Sequence, residues 1–347
     1  MSNLVAETES SKNILEVNNL KVHFPITSGF LRRTTGHVKA VDDVSFSVVE
    51  GETLGIVGES GCGKTTTGRA IMRAVDPTSG DVMFQKRDGD VVNVANLPSG
   101  ELKNVREEMQ IVFQDPFASL NPRMTVFDIV ADPLRVNNVA SGQELEDTVS
   151  QLLRTVGLAP ELSRRYPHAF SGGQRQRIGF ARSLIMNPRL VIADEPVSAL
   201  DVSVQAQILN LMQDLQSNLG LTYVFISHDL SVVQYICHRV AVMYVGKIVE
   251  LAPTEKLFTE PKHPYTQALL DAIPIANPNV ESGNRVLEGE VADPSNPPTG
   301  CYFHPRCPFA EEKCKTEDPP FKAVGDGSFA KCHFAGEIDL SGVADSQ

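Results

Sequence analysis

Short continuous apolar runs recur along the chain. Thr53–Val57, Met109–Phe113, Leu190–Ala193 and Thr222–Ile226 are rich in β-branched residues, the pattern of strands buried on both faces of a parallel sheet. Ile14–Phe24 has strand-like apolar content, and Val38–Val49 partly alternates, as a half-buried strand should, before a turn at Glu50-Gly51. Between them the Gly-, Arg- and Thr-rich stretch Thr27–Gly36 reads as a surface insertion, and residues 1–13 are polar enough to fray. Helical patterns separate the buried strands. Leu145, Val149, Leu152, Leu153 and Val156 share one helical face. Ser171 and Gln174 have the spacing of a capping box, opening a helix that must stop before Pro188. The Pro-, Asn- and Gly-rich stretch Pro274–Pro298 predicts a linker, with a cysteine-bearing tail beyond it. No internal repeat is present.

Directly after the Thr53–Val57 run comes Gly58-Glu-Ser-Gly-Cys-Gly-Lys-Thr65, a G-x-x-x-x-G-K-[ST] loop between a predicted strand and a predicted helix. The glycines let consecutive N–H groups turn inward around phosphate oxygens. Lys64 then reaches the β/γ-phosphates and Thr65 ligates Mg²⁺. Four such constraints recur by accident in about one chain in a hundred of this length, and the strand–loop–helix context makes a plain Gly-rich turn rarer still.

Three other predicted strands end in polar residues: Gln114 after Met109–Phe113, Asp194-Glu195 after Leu190–Ala193, and Ser227-His228-Asp229 after Thr222–Ile226. Ligands of open α/β sheets sit at the carboxyl ends of strands, so Lys64, Gln114, Asp194, Glu195 and His228 should converge on one rim. Neighbouring residues of a strand point to opposite sides, which lets the two carboxylates hold different tasks. Asp194 suits Mg²⁺, and Glu195, just past the strand, is placed to act as general base toward water. His228 is positioned to touch the γ-phosphate. Phe170-Ser-Gly-Gly-Gln174 makes a second anion-binding helix start, which one nucleotide does not need from the same subunit.

Charge narrows the partners. Lys+Arg number 31 against Asp+Glu 43, a net charge of −12, which disfavours general nucleic-acid binding. The start of the chain lacks the basic and apolar regions of a signal peptide, and no apolar run approaches the ~18 residues of a spanning helix. A cytosolic chain is the expectation. Of six cysteines, Cys62 and Cys237 stand apart, whereas Cys301, Cys307, Cys314 and Cys332 crowd the tail, which in a reducing compartment points to metal before disulfides. Four thiolates suit either a [4Fe–4S] cluster or tetrahedral Zn²⁺, although the tight C-x₂₋₄-C pairs of structural zinc sites are missing.

The ordered set GESGCGKT, Gln114, FSGGQ, Asp194-Glu195, Ser198-Ala-Leu-Asp201 and His228 resembles an ABC-transporter nucleotide-binding subunit, over about Leu15 to Val249. Phe170 stands where Leu is commoner in that family, and Cys62 sits where Ser is also frequent. The resemblance implies an α/β P-loop ATPase core with a mainly parallel sheet, an antiparallel β subdomain and a helical subdomain, over residues 14–260 with the helical part near 115–187. A small Cys-rich extension, 261–347, follows. It implies ATP and Mg²⁺ as cofactors, bound by Gly58, Ser60, Gly61, Cys62, Gly63, Lys64, Thr65, Thr66 and Asp194, with Thr65, Gln114 and Asp194 around the metal. Glu195, His228 and Gln114 are the implied catalytic set, and Phe24, or His37, the aromatic on adenine. It further implies a head-to-tail dimer in which Ser171, Gly172, Gly173 and Gln174, with Asp201, cap the ATP held by the partner's loop.

Asp115–Val126, His263–Leu269 and the cysteine tail look like the oligopeptide/dipeptide importer branch, specifically its second, F-type ATPase. That resemblance implies a D-type ATPase partner in a heterodimer, two permease subunits and an extracytoplasmic peptide-binding protein. The subunit would be peripheral at the cytoplasmic face of the inner membrane. It also favours a [4Fe–4S] cluster over Zn²⁺ at Cys301, Cys307, Cys314 and Cys332. The rival readings are a soluble ABC ATPase acting on ribosomes or DNA, which usually carries two cassettes or a long coiled coil, and a P-loop kinase, which does not require Ser171–Gln174.

Overall fold

The computed structural model describes residues 12–29, 33–115, 117–273 and 289–342. The chain opens with a long antiparallel hairpin of β1 (Asn13–Ser28) and β2 (Arg33–Val49). Thr27 pairs with Thr34 and Ser28 with Arg33, so the described part of the stretch expected as a surface insertion is the exposed end of this hairpin. Its polar, two-sided exposure removes the alternation that marks a half-buried strand. With β4 (Ser79–Gln85) and β5 (Val91–Asn93) the hairpin forms an antiparallel sheet in the order β2-β1-β4-β5.

The second sheet carries the core. β3 (Thr53–Val57), β6 (Met109–Val112), β7 (Leu190–Asp194), β8 (Thr222–Ile226) and β9 (Arg239–Tyr244) lie in the order β9-β3-β8-β7-β6, every neighbouring pair parallel. β7 and β8 show why the apolar runs are continuous. Leu190, Ile192, Val224 and Ile226 pack into the core shared with the antiparallel sheet, and Val191, Ala193, Tyr223 and Phe225 into the core on the other face. Each side of the pleat meets its own apolar layer, so polar residues fall only at the strand ends, Thr222 and Asp194.

Helices fill the crossovers: α1 (Lys64–Ile71) after β3, α2 (Ser99–Glu108) before β6, α6 (Val202–Leu219) between β7 and β8, and α7 (Leu230–Ile236) after β8. Between β6 and β7 the chain leaves the sheet for a helical subdomain of α3 (Val126–Val136), α4 (Gly142–Thr155) and α5 (Gly172–Leu184). Leu145, Val149 and Leu153 of α4 are buried there, on the predicted face. Ser171 caps α5, its Oγ accepting from the Gln174 N–H while the Gln174 side chain accepts from the Ser171 N–H.

The tail closes onto the same sheet. β10 (Lys247–Pro253) turns back antiparallel to β9, and α8 (Thr254–Thr259), α9 (Pro264–Asp271) and α10 (Glu312–Thr316) precede β11 (Lys322–Gly325) and β12 (Ser328–Ala330). β12 pairs with β10 through Glu250↔Ala330 and Leu251↔Phe329, extending the sheet to eight strands. The predicted linker lies in large part outside the described residues. From its described end, the Pro294 carbonyl accepts from the Lys39 N–H of β2.

Candidate nucleotide site

The loop between β3 and α1 is shaped by where its glycines sit. Gly63, with φ 106°, precedes the first turn of α1, and a Cβ there would run into the Ala40 carbonyl. At Gly58, φ 149°, a Cβ would meet the Met243 carbonyl. Both close approaches exclude any side chain. Within the loop, Lys64 Nζ donates to the carbonyls of Gly58 at 2.7 Å and Glu59 at 3.0 Å, so the ammonium is held by the cradle it serves. Cys62 is buried, its Sγ 3.9 Å from Lys64 Nζ, and its N–H donates to the Glu59 carbonyl. Ser60 and Gly61 are exposed, and Thr66 is half-buried on α1.

The parallel register brings the other strand ends to this loop. Thr65 Oγ1 donates to Asp194 Oδ1 at 2.8 Å. Asp194 is 2% exposed, and burial raises its pKa, opposed by the Thr65 hydrogen bond and by the charges of Arg69 and Lys64. A hydroxyl and a buried carboxylate are hard oxygen donors of the kind Mg²⁺ takes, so the pair fits that ion. Glu195 follows in a left-handed backbone conformation, φ 46°, which turns its side chain out of the strand's alternation. Its Oε2 accepts from Gln114 Nε2 at 2.8 Å and lies 3.2 Å from His228 Nδ1. Lys64, Thr65, Gln114, Asp194, Glu195 and His228 are therefore one connected rim.

Other predicted residues stand apart from it. Among the described residues the side-chain hydrogen bonds of Ser171 and Gln174 close on each other. Gly172 and Gly173 pack against Leu200 and Val204 at the start of α6, where Asp201 is the N-cap residue without a side-chain capping bond. Phe24, 41% exposed, lies on the hairpin opposite Val38, with His37 opposite Pro25.

Cys301, Cys307, Cys314 and Cys332 line one small cavity, together with His263, His304, His333 and three phenylalanines, Phe303, Phe309 and Phe334. All six thiols of the chain are free. Burial, before the influence of neighbouring cysteines, pushes Cys301 up to about 11 and Cys307 up to about 12. Among the described residues, however, no group of three or more His, Cys, Asp or Glu is arranged to hold a metal ion. The spacing alone therefore gives a shared cavity, not a formed metal site.

Sequence reasoning missed what ties this tail to the rim. Tyr244, Tyr265 and Phe303 pack with ring centroids 4.7 to 5.4 Å apart, and Tyr265 Oη accepts from the Glu59 N–H at 3.0 Å. Arg306 pairs with the Glu59 carboxylate at 2.9 Å. No local pattern signals contacts so distant along the chain.

A P-loop strand whose neighbours deliver a glutamine, two carboxylates and a histidine to one edge, beside a separate helical subdomain, is the architecture of an ATP-binding cassette. Comparison bears this out: residues 41–198 match the family described as ABC transporter, and residues 249–314 that described as oligopeptide/dipeptide transporter, C-terminal region. The chain belongs to the ABC transporter family of ATP-binding proteins. It is 53% identical over 327 residues to the oligopeptide transport ATP-binding protein AppF of Bacillus subtilis, covering 93% of this chain and 98% of that one. To the oligopeptide transport ATP-binding protein OppF of Salmonella typhimurium it is 49% identical over 329 residues, 93% of this chain and 96% of the relative. The dimeric post-hydrolysis structure of the ATP-binding cassette MJ0796, bound to ADP and Pi, superposes with a TM-score of 0.60 at 27% identity, covering 69% of this chain and 98% of that one. CbiO1 of Clostridium perfringens gives a TM-score of 0.59 at 27% identity, over 72% of this chain and 91% of that one. Among the described residues no helix is long and apolar enough to cross a membrane.

Proposed function

We propose that this chain is the ATP-hydrolysing subunit of a peptide importer, peripheral at the cytoplasmic face of the membrane. In this reading it works with two permease subunits, an extracytoplasmic peptide-binding protein and a D-type ATPase as its heterodimer partner. The observation that carries the chemistry is the convergence of Gln114 and His228 on one oxygen of Glu195, beside the Thr65–Asp194 pair. These groups satisfy one another in the structure. Lys64 would exchange the Gly58 and Glu59 carbonyls for phosphate oxygens of ATP, and Thr65 and Asp194, with Gln114, would hold Mg²⁺. Bound Mg²⁺ supplies charge neutralisation on the phosphates. His228 turns to the γ-phosphate, which releases the Glu195 carboxylate to accept a proton from the attacking water. Phe24, or His37 across the hairpin, stacks on adenine. Ser171–Gln174, already a capped helix start with no bond to Gly58–Thr65 among the described residues, closes over the ATP of the partner, with Asp201 at the same interface.

The cargo assignment rests on the relatives' names and the match of the C-terminal region. For the tail, we read Cys301, Cys307, Cys314 and Cys332 as ligands of a structural [4Fe–4S] cluster, with Zn²⁺ as the alternative. Its support is the one small cavity that all four cysteines line, and a polynuclear cluster spaces its thiolates more widely than one tetrahedral ion does. Elemental analysis of anaerobically purified protein is expected to find iron; finding neither iron nor zinc refutes this part.

The decisive experiment on the nucleotide site is Glu195→Gln. It is expected to retain MgATP binding, to lower turnover at least about a hundredfold, and to accumulate an ATP-dependent dimer in size-exclusion chromatography. Co-expression with the partner subunits then gives the composition of that dimer. Undiminished hydrolysis rules out Glu195 as the base, and a trapped dimer of this chain alone, with the D-type subunit present, rules out the heterodimer.

A further inference from the structure

The loop that receives phosphate carries a negative charge of its own. Glu59 is the second residue of the motif, and an unpaired carboxylate there repels the anion the loop exists to bind. The structure pairs it from the far end of the chain. Arg306 Nη1 and Nη2 donate to the two Glu59 oxygens at 2.9 and 3.2 Å, the forked geometry in which guanidinium matches carboxylate best. The arginine side chain is 5% exposed and the glutamate side chain 27%, so the pair is partly shielded from salt. Glu59 is fixed from a second side by Tyr265 of α9, whose hydroxyl accepts the Glu59 N–H. Its carbonyl in turn accepts from Lys64 Nζ. Arg306 itself lies in a 3₁₀ turn, His304–Arg306, immediately before Cys307, with its guanidinium 6.0 Å from the centroid of the Tyr244 ring.

We propose that Arg306 is a positioning residue of the nucleotide site. It cancels the Glu59 charge and, with Tyr265, holds the loop in a phosphate-ready shape, which makes the C-terminal extension a contributor to nucleotide affinity. The proposal rests on the reading that this loop takes MgATP.

The test uses the full-length chain, titrated with a fluorescent ATP analogue in the presence of Mg²⁺ and followed by steady-state hydrolysis. Arg306→Met is expected to weaken nucleotide binding about tenfold, within the range typical of coupling between sites, and to raise KM while kcat at saturation stays within about twofold. Arg306→Lys keeps the charge without the fork and should recover most of the affinity. Adding Glu59→Gln to Arg306→Met should also recover most of it, because the repelling charge is gone. Packing alone does not produce that rescue. If Arg306→Met does not fold, Glu59→Gln alone carries the test: the loop loses its negative charge while Arg306 keeps its positive one, so binding should tighten. Unchanged affinity in Arg306→Met, a double variant no better than the single one, or weaker binding by Glu59→Gln overturns the proposal. If the unsubstituted chain binds no MgATP, it is the ATPase reading that fails. If it binds and Arg306→Met binds equally, only this inference does.

Discussion

At the nucleotide rim, parallel strands deliver Lys64, Gln114, Asp194 and His228 by backbone geometry, and each side chain needs only to be the right chemical group. In the C-terminal extension beyond α9, strands of four and three residues and a helix of five supply little framework. Order there comes from side chains packed on each other: the Tyr244–Tyr265–Phe303 cluster, the cysteine cavity and the Arg306 fork. The contrast teaches that substitutions at the rim should cost chemistry with little loss of fold, whereas substitutions in the aromatic cluster of the extension should cost fold first.

The sharpest test of that contrast is Lys64→Ala, which removes a preorganised charge from the phosphates. We expect kcat/KM to fall at least about a thousandfold, with a urea unfolding midpoint close to that of the unsubstituted chain. A comparable loss of stability breaks the contrast. Phe303→Ala should show the opposite balance. Phe303 is 1% exposed, and emptying its place in the aromatic cluster is expected to cost about 3 kcal/mol in urea denaturation.

The smallest effect is a pH dependence. Glu250 of β10 is fully buried and accepts from the Lys262 and His263 N–H groups at 2.7 and 2.9 Å. Burial, the dominant cause, raises its pKa from 4.5 to about 7. The folded state therefore keeps the proton that the unfolded chain releases near 4.5, and this contribution to stability is lost as pH rises from about 4.5 to about 7. Glu250→Gln, which stays neutral, should flatten the stability profile across that window by an amount on the order of 2 kcal/mol, measured by urea denaturation at several pH values. An unchanged slope shows that Glu250 is ionised throughout.

The strands of the rim were legible because each is apolar on both faces, so β8 falls on Thr222–Ile226 as predicted. The α5 cap was legible because Ser171 and Gln174 interact locally. The β9–β10 hairpin was missed although both arms are apolar. Its turn is Val245-Gly246, with φ values of 41° and 77°, and valine gives none of the Asn-Gly signal that normally marks such a turn. The hairpin end near Thr27 and Thr34 was hidden by having no buried face. The bridge from Arg306 to Glu59 spans 247 residues, and its partners carry no local pattern, so only the folded chain brings it into view.

The pairing of β12 with β10 has a consequence for biogenesis. A ribosome releases β10 long before β12, and in that interval one border of the central sheet presents unsatisfied amides and carbonyls. Nascent chains stalled or cleaved before Ser328 should therefore be the forms most prone to self-association, and β12 seals that border once it has been made.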